Sequence, residues 1–149
     1  MERSPRFFVR GSWWSIVFSK KDSGNGRMKF TKSEDIDSWK EARKLTCTVY
    51  ELTTGQGFHK DFGLRDQIQR TAVSIMANIA EGFDSGTNRS VIGFLNYAYR
   101  SASEVQSLLY VALDQSYIET SAFQINYDQA GTIKNLIGGL IKYLKSNLR

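Results

Sequence analysis

Cysteine, proline and histidine each occur once in this chain of 149 residues. The lone Cys47 rules out an internal disulfide and suits a reducing compartment, so a cytoplasmic location is expected. The one proline, Pro5, leaves everything downstream free of the residue that breaks long helices. With one His, one Cys and no tight carboxylate cluster, neither a metal site nor another cofactor is expected. No apolar run approaches the ~20 residues of a membrane-spanning helix.

The formal charge of +5 is unevenly spread. Residues 1–30 hold seven Lys and Arg (Arg3, Arg6, Arg10, Lys20, Lys21, Arg27, Lys29) against Glu2 and Asp22, which accounts for all of it. Residues 31–149 carry 13 basic and 13 acidic groups and are neutral as a whole. Nucleic-acid affinity in that larger part therefore has to come from local patches, not from the total.

The first thirty residues read as a leader distinct from the rest. Phe7, Phe8, Trp13, Trp14 and Phe18 crowd together before a Lys/Ser/Gly/Asn stretch. Arg10, Gly11 and Ser12 interrupt the apolar part and no small-x-small site follows, unlike a secretory signal. Trp and Phe flanked by basic residues also suit a membrane headgroup boundary. The favoured expectation is a disordered tail or translated upstream sequence, with Met28 as the natural start and residues 31–149 as one domain.

After Met28 the pattern is helical throughout. A first helix is expected to start near Ser33 to Asp35, with Trp39, Ala42, Leu45, Thr46, Val49 and Leu52 inward and Gly55 to Gly57 closing it. Cys47 reads as a small buried hydrophobe. In the second, Leu64 to Phe83, the apolar seam Leu64, Ile68, Ala72, Ile75, Ile79, Phe83 recurs at steps of three and four. A polar ridge of Arg70, Ser74, Asn78 and Glu81 runs along another side, and Gly82 reads as a left-handed stop. After Asp84 to Asn88, where Thr87 or Asn88 can cap, a third helix covers Arg89 to Gln115 on Ile92, Leu95, Ala98, Ala102, Val105, Leu109 and Ala112. The last helix ends near Leu148, on Ile133, Leu136, Ile137, Leu140, Ile141 and Leu144. Its Gly131, Gly138 and Gly139 each cost about 1 kcal/mol relative to Ala, an expense expected to reflect close approach of a neighbouring helix. Four amphipathic helices with short connections predict an all-α, antiparallel up-down-up-down four-helix bundle.

The segments FGL, QI-R-A-SI and NIAEG, then Arg89-Ser90, Phe94-Leu95, Ala98, Ser101 and Tyr117-Ile118, resemble the bacterial four-helix-bundle family named for proteins encoded in intervening sequences of 23S ribosomal RNA genes. The similarity covers roughly residues 34 to 147. It implies a homopentamer that binds nucleic acid or ribosomal RNA, and a likeness to accessory bundle proteins of reverse transcriptases in retroelements. Two positions depart from the family pattern: Gly93 replaces an acidic residue before the aromatic-Leu pair, and Ser116 replaces a Gly before Tyr-Ile.

Candidate chemistry is sparse. His59 sits in a loop beside Lys60 and Asp61, with no partner set for general-base work, so no catalytic residue is nominated. Glu81, Asp84 and Glu104 are candidates to converge near one end of the bundle. Glu81 near a carboxyl end opposes the helix dipole and invites Arg70, Arg89 or Arg100 as partner. The Arg70, Ser74, Asn78, Glu81 ridge serves either an intersubunit contact or hydrogen bonding inside the fold. Phe94, Tyr97 and Tyr110 mark either an association surface or the edges of the bundle.

For nucleic acid the candidates are Lys60, Arg65, Arg70, Arg89, Arg100, Lys142 and Lys145, with Lys134 and Arg149 nearby. For self-association they are Ser74, Asn78, Glu81, Phe94 and Tyr97. The expected function is a non-catalytic, self-associating protein that binds ribosomal RNA or acts as a ribosome-associated factor. The alternative is a protein–protein scaffold or adaptor, such as a reverse-transcriptase accessory subunit.

Overall fold

The computed structural model describes residues 32–55 and 57–148; the expected leader and Arg149 lie outside the described residues. Among these residues every regular element is helical and no strand occurs. The four long helices are α1 (Asp37–Leu52), α2 (Phe62–Asp84), α3 (Asn88–Asp114) and α4 (Thr120–Ser146). Short 3-10 turns cover Ser33–Asp35 and Phe58–Lys60.

Helix starts follow local chemistry where an oxygen is in place. The Asp61 carboxylate accepts from the Leu64 amide at 3.0 Å and opens α2, and Thr87 accepts from the Ser90 amide at 3.2 Å to open α3. The start of α1 differs from expectation. Ser33, Glu34 and Asp35 form a 3-10 turn, and extended Ile36 occupies the cap position with no side-chain cap. Ile36 is buried, so tertiary packing instead of a capping oxygen fixes that entry.

Each helix turns one stripe inward: α1 packs on α2, α2 on α3, α3 on α4, and α4 returns to α1. The shared core contains Leu45, Val49, Ile68, Ile75, Ile79, Leu95, Val105, Leu109, Ile133, Ile137 and Leu144, all essentially inaccessible to water. Each such side chain contributes about 1.5–3 kcal/mol of transfer free energy. Trp39, Leu52, Phe83, Ile92 and Ile141 are only partly buried at its margins, and Thr46 and Leu136 are half-buried too. Thr46 nonetheless spans two helices, its hydroxyl 2.8 Å from the Ala42 carbonyl and 3.2 Å from that of Ala72.

Three expectations are corrected. Cys47 is exposed, because Ala42, Leu45 and Val49 define the inner stripe and a residue two beyond Leu45 points away from it. Gly82 does not stop α2, which continues to Asp84 with Gly82 buried inside it. A Cβ there would lie 3.0 Å from the Phe94 Cβ, so its role is close approach of α3; the left-handed position is Gly86, at φ 82°. The glycines of α4 behave oppositely. Nothing lies within 4 Å of a Cβ at Gly138 or Gly139, and Gly131 meets only the Gln106 side chain, at 3.7 Å.

The two connections flanking α2 and α3 also carry core. Phe58, in the turn before α2, is fully buried and stacks on Tyr117, with ring centroids 5.4 Å apart. The Tyr117 hydroxyl donates to Asp61 Oδ2 at 3.2 Å, so the carboxylate that caps α2 also ties down the α3–α4 connection. Partial withdrawal from water, and then the Asp61 charge and its hydrogen bond, raise the Tyr117 pKa above the ordinary tyrosine value.

Two measurements follow from this packing. Gly82→Ala forces Phe94 aside and is expected to lower stability by about 1–2 kcal/mol, whereas Gly138→Ala, in open space, raises it by about 0.5–1 kcal/mol; urea melts compare them. The fold favours protonated Tyr117, so that contribution is whole below about pH 10, the unfolded tyrosine value, and is lost as pH climbs through the higher folded one. Melts across that range should steepen their decline there, and Tyr117→Phe should flatten it.

Candidate functional site

Two surfaces of the helix array concentrate the polar and charged side chains. The first lies between α3 and α4. Lys134 Nζ stands 5.0 Å from the Tyr99 ring centroid and donates to Gln106 Oε1 at 3.2 Å. Gln106 in turn donates to the Tyr127 carbonyl at 3.1 Å. This relay fixes a half-buried ammonium over an aromatic face, a favourable cation–π arrangement. Further along the same pair, Tyr110 meets Phe123 at 4.8 Å and Tyr127 at 5.6 Å between centroids. Tyr110 therefore covers the α3–α4 edge.

Charge along α3 and α4 is segregated by stretch, although Arg100 stands over the Tyr97 ring. Residues 88–103 of α3 contain Arg89 and Arg100 and no carboxylate; residues 129–148 contain Lys134, Lys142 and Lys145 and no carboxylate. The nearest acids are engaged or set aside. Glu104 accepts from Gln67 at 3.0 Å and from Thr71 at 3.2 Å, and Asp128 accepts from Gln124 at 2.8 Å. Glu81 and Asp84 lie on the last turns of α2.

The second surface is the α2–α3 seam, and it absorbs part of the polar ridge. Ser74 Oγ and Ser101 Oγ are 3.1 Å apart, and Asn78 donates to the Ser74 carbonyl at 2.8 Å and to its hydroxyl at 3.0 Å. Small side chains at these positions let the helices approach and pair the half-buried polar atoms. Phe94, packed over Gly82, is half-buried, while Tyr97 is 58% exposed with the Arg100 guanidinium 5.8 Å from its ring.

The remaining nominated residues scatter. Lys60 and Arg65 lie at the start of α2 and Arg89 lies beyond its end, separated by a helix of 23 residues, about 34 Å at 1.5 Å per residue. Arg65 is already committed: it bridges to Asp66 at 2.9 Å, donates to the His59 carbonyl at 3.1 Å and covers the Phe62 ring at 4.8 Å. Arg70 is exposed and reaches only the Asp66 carbonyl, at 3.4 Å. Glu81 is exposed and has no ion pair with Arg70, Arg89 or Arg100 among the described residues.

Glu104 contacts the first half of α2, so it does not converge with Glu81 and Asp84. No group of three or more His, Cys, Asp or Glu able to hold a metal occurs among the described residues. His59 is exposed, its Nδ1 3.0 Å from the Gly55 carbonyl oxygen. None of the described helices is long and apolar enough to cross a membrane.

Sequence reasoning missed Tyr99, Gln106 and the loop residue Phe58. Tyr99 is two residues from Tyr97, and Lys134 is of a type and position already noticed. The missing signal was the α3–α4 register, which pairs residues some 35 apart and leaves no trace in local periodicity.

The chain matches the family described as 23S rRNA-intervening sequence protein over residues 34–139. Among solved structures it is similar to a protein of unknown function from the S23 ribosomal protein family of Bacteroides thetaiotaomicron VPI-5482. The two share 23% identity at a TM-score of 0.65, over 70% of this chain and 95% of that one. At that identity the likeness carries the fold. No curated protein matches. By the extent of the family match, together with its four-helix architecture, the chain belongs to the 23S rRNA-intervening sequence protein family.

Proposed function

We propose that this chain is a non-catalytic, self-associating RNA-binding protein of the cytoplasm, built as an antiparallel up-down-up-down bundle. The order of contacts supports the topology. Gln67, Ser74 and Gly82 of α2 meet Glu104, Ser101 and Phe94 of α3, so numbers rise on one helix as they fall on the other. The same inversion relates Tyr110 and Tyr99 of α3 to Phe123 and Lys134 of α4.

The observation that carries the RNA reading is charge segregation. A domain neutral in total keeps five cations and no carboxylate on adjoining stretches of α3 and α4. Such a patch attracts a polyanion through counterion release, whatever the net charge elsewhere. The family description, which refers to 23S rRNA, favours ribosomal RNA as the polyanion.

The scaffold reading keeps one specific support. The exposed side of α2 presents Val73 and Ala77, with Tyr50 of α1 and Tyr97 of α3 also exposed. Apolar side chains of this kind fit a contact between copies, with Ser74, Asn78, Glu81 and Phe94 nearby. A homopentamer is the expected assembly, and its ring would repeat the basic patch five times.

Two experiments test this. In filter binding with a 23S rRNA fragment, the full chain should retain RNA at 50 mM salt, with affinity falling steeply by 200 mM. Lys142→Glu with Lys145→Glu should weaken binding at least tenfold without lowering the melting temperature; unchanged binding contradicts the reading. Light scattering should give a mass near five times the 16.9 kDa of one chain, and Val73→Asp should reduce it. A monodisperse monomer contradicts self-association.

A further inference from the structure

The α3–α4 surface has a shape as well as a charge. Arg89, Gly93, Asn96, Arg100 and Ser103 recur at steps of four and three, which places them on one stripe of α3. Lys134, Gly138, Lys142 and Lys145 form the matching stripe of α4, at steps of four, four and three. In each stripe the first and last cation are eleven residues apart, about 17 Å along the helix. The Lys134–Tyr99 contact fixes the register, and continuing it brings the Arg89 end of α3 to the Lys145 end of α4.

The middle of both stripes is nearly bare. At Gly93 and Gly138 no atom of another element lies within 4 Å of where a Cβ would be. These helical glycines are costly to stability, and no close neighbour accounts for them. Lys134 stands at one end of the bare strip and Arg89 and Lys145 at the other, while Arg100 leans over the Tyr97 ring, with Asn96 and Asn135 exposed along the strip. At the Lys134 end stands Tyr99, 39% exposed, its ring held beneath the ammonium that Gln106 positions.

Resting on the RNA-binding reading, we propose that this strip is a site for a single-stranded nucleic-acid segment: its phosphates follow the α4 lysines and Arg89, and a base stacks on the part of the Tyr99 ring that Lys134 leaves exposed. A duplex has no free base face to offer an aromatic ring, whereas an unpaired base stacks with an energy that tolerates any sequence. The glycine floor lets the backbone of the strand approach the helices, and the exposed amides of Asn96 and Asn135 stand where ribose hydroxyls would pass. Of the acids on the same two helices, Glu104 is turned to α2, where Gln67 and Thr71 bond it, and Asp128 is bonded by Gln124.

The test uses the full chain and three labelled probes in fluorescence anisotropy at 50 mM salt: a 20-mer of uridine, a 20-mer of deoxythymidine and a 20-base-pair RNA duplex. The leader's charge is common to every variant, so differences between variants report the strip. The uridine strand should bind at least tenfold tighter than the duplex. Tyr99→Leu should weaken it about tenfold, Tyr99→Phe should restore it, and Gly138→Glu should abolish the preference. If the single strand and duplex bind alike and Tyr99→Leu changes nothing while the lysine variants still lose affinity, the stacking site is refuted and the RNA reading survives. If no probe binds, both fall. Equal binding of the uridine and deoxythymidine strands assigns the site to unpaired bases, and tighter uridine binding adds the ribose contacts.

Discussion

Everything on the outer surface depends on how tightly α2 and α3 approach each other. Gly82 is a tight point, since even a methyl group there would reach 3.0 Å from the Phe94 Cβ. Further along the seam, Ser74, Asn78 and Ser101 exchange hydrogen bonds across positions where larger side chains would hold the helices apart. Glu104, bonded by Gln67 and Thr71, continues that polar seam. A polar seam specifies register more sharply than apolar packing does, because a slip leaves half-buried donors and acceptors unpaired.

That register fixes the rotation of α3, and with it what α3 shows to α4. Ala98, Ala102 and Val105 turn to the core, which leaves Arg89, Gly93, Asn96 and Arg100 outside and Tyr99 against Lys134. A chain whose folded part is neutral in sum thereby carries stretches of α3 and α4 with cations and no carboxylate. Of the carboxylates on these two helices, Glu104 is bonded at the α2–α3 seam and Asp128 by Gln124 of its own helix. Electrostatic partition of this kind costs little in stability, since exposed cations along a helix interact weakly in water.

Much of the fold was legible in local pattern, because four amphipathic stripes with a 3.6-residue period leave few other ways to bury them. The Thr87 cap and the inner stripe of α3 were readable for the same reason. Positions decided by non-local geometry were not. Gly82 looks like a helix stop in sequence and is a packing point only because Phe94 lies across from it. Cys47 looks buried by composition and is exposed by angle. The ridge of α2 divided according to what stood opposite: Ser74 found Ser101 and Asn78 bonded back to Ser74, while Arg70 and Glu81 stayed outside. At the candidate site the cations were visible, but their separation into scattered ones, such as Lys60 and Arg65, and adjoining ones depended on the α3–α4 register.

Ultraviolet crosslinking of the full chain to a uridine 20-mer, followed by peptide mass spectrometry, tests the central claim most directly. The account predicts crosslinked peptides from residues 89–103 and 131–145, with Tyr99 among the modified side chains. Crosslinks confined to residues 1–30, or spread evenly over all four helices, would contradict it.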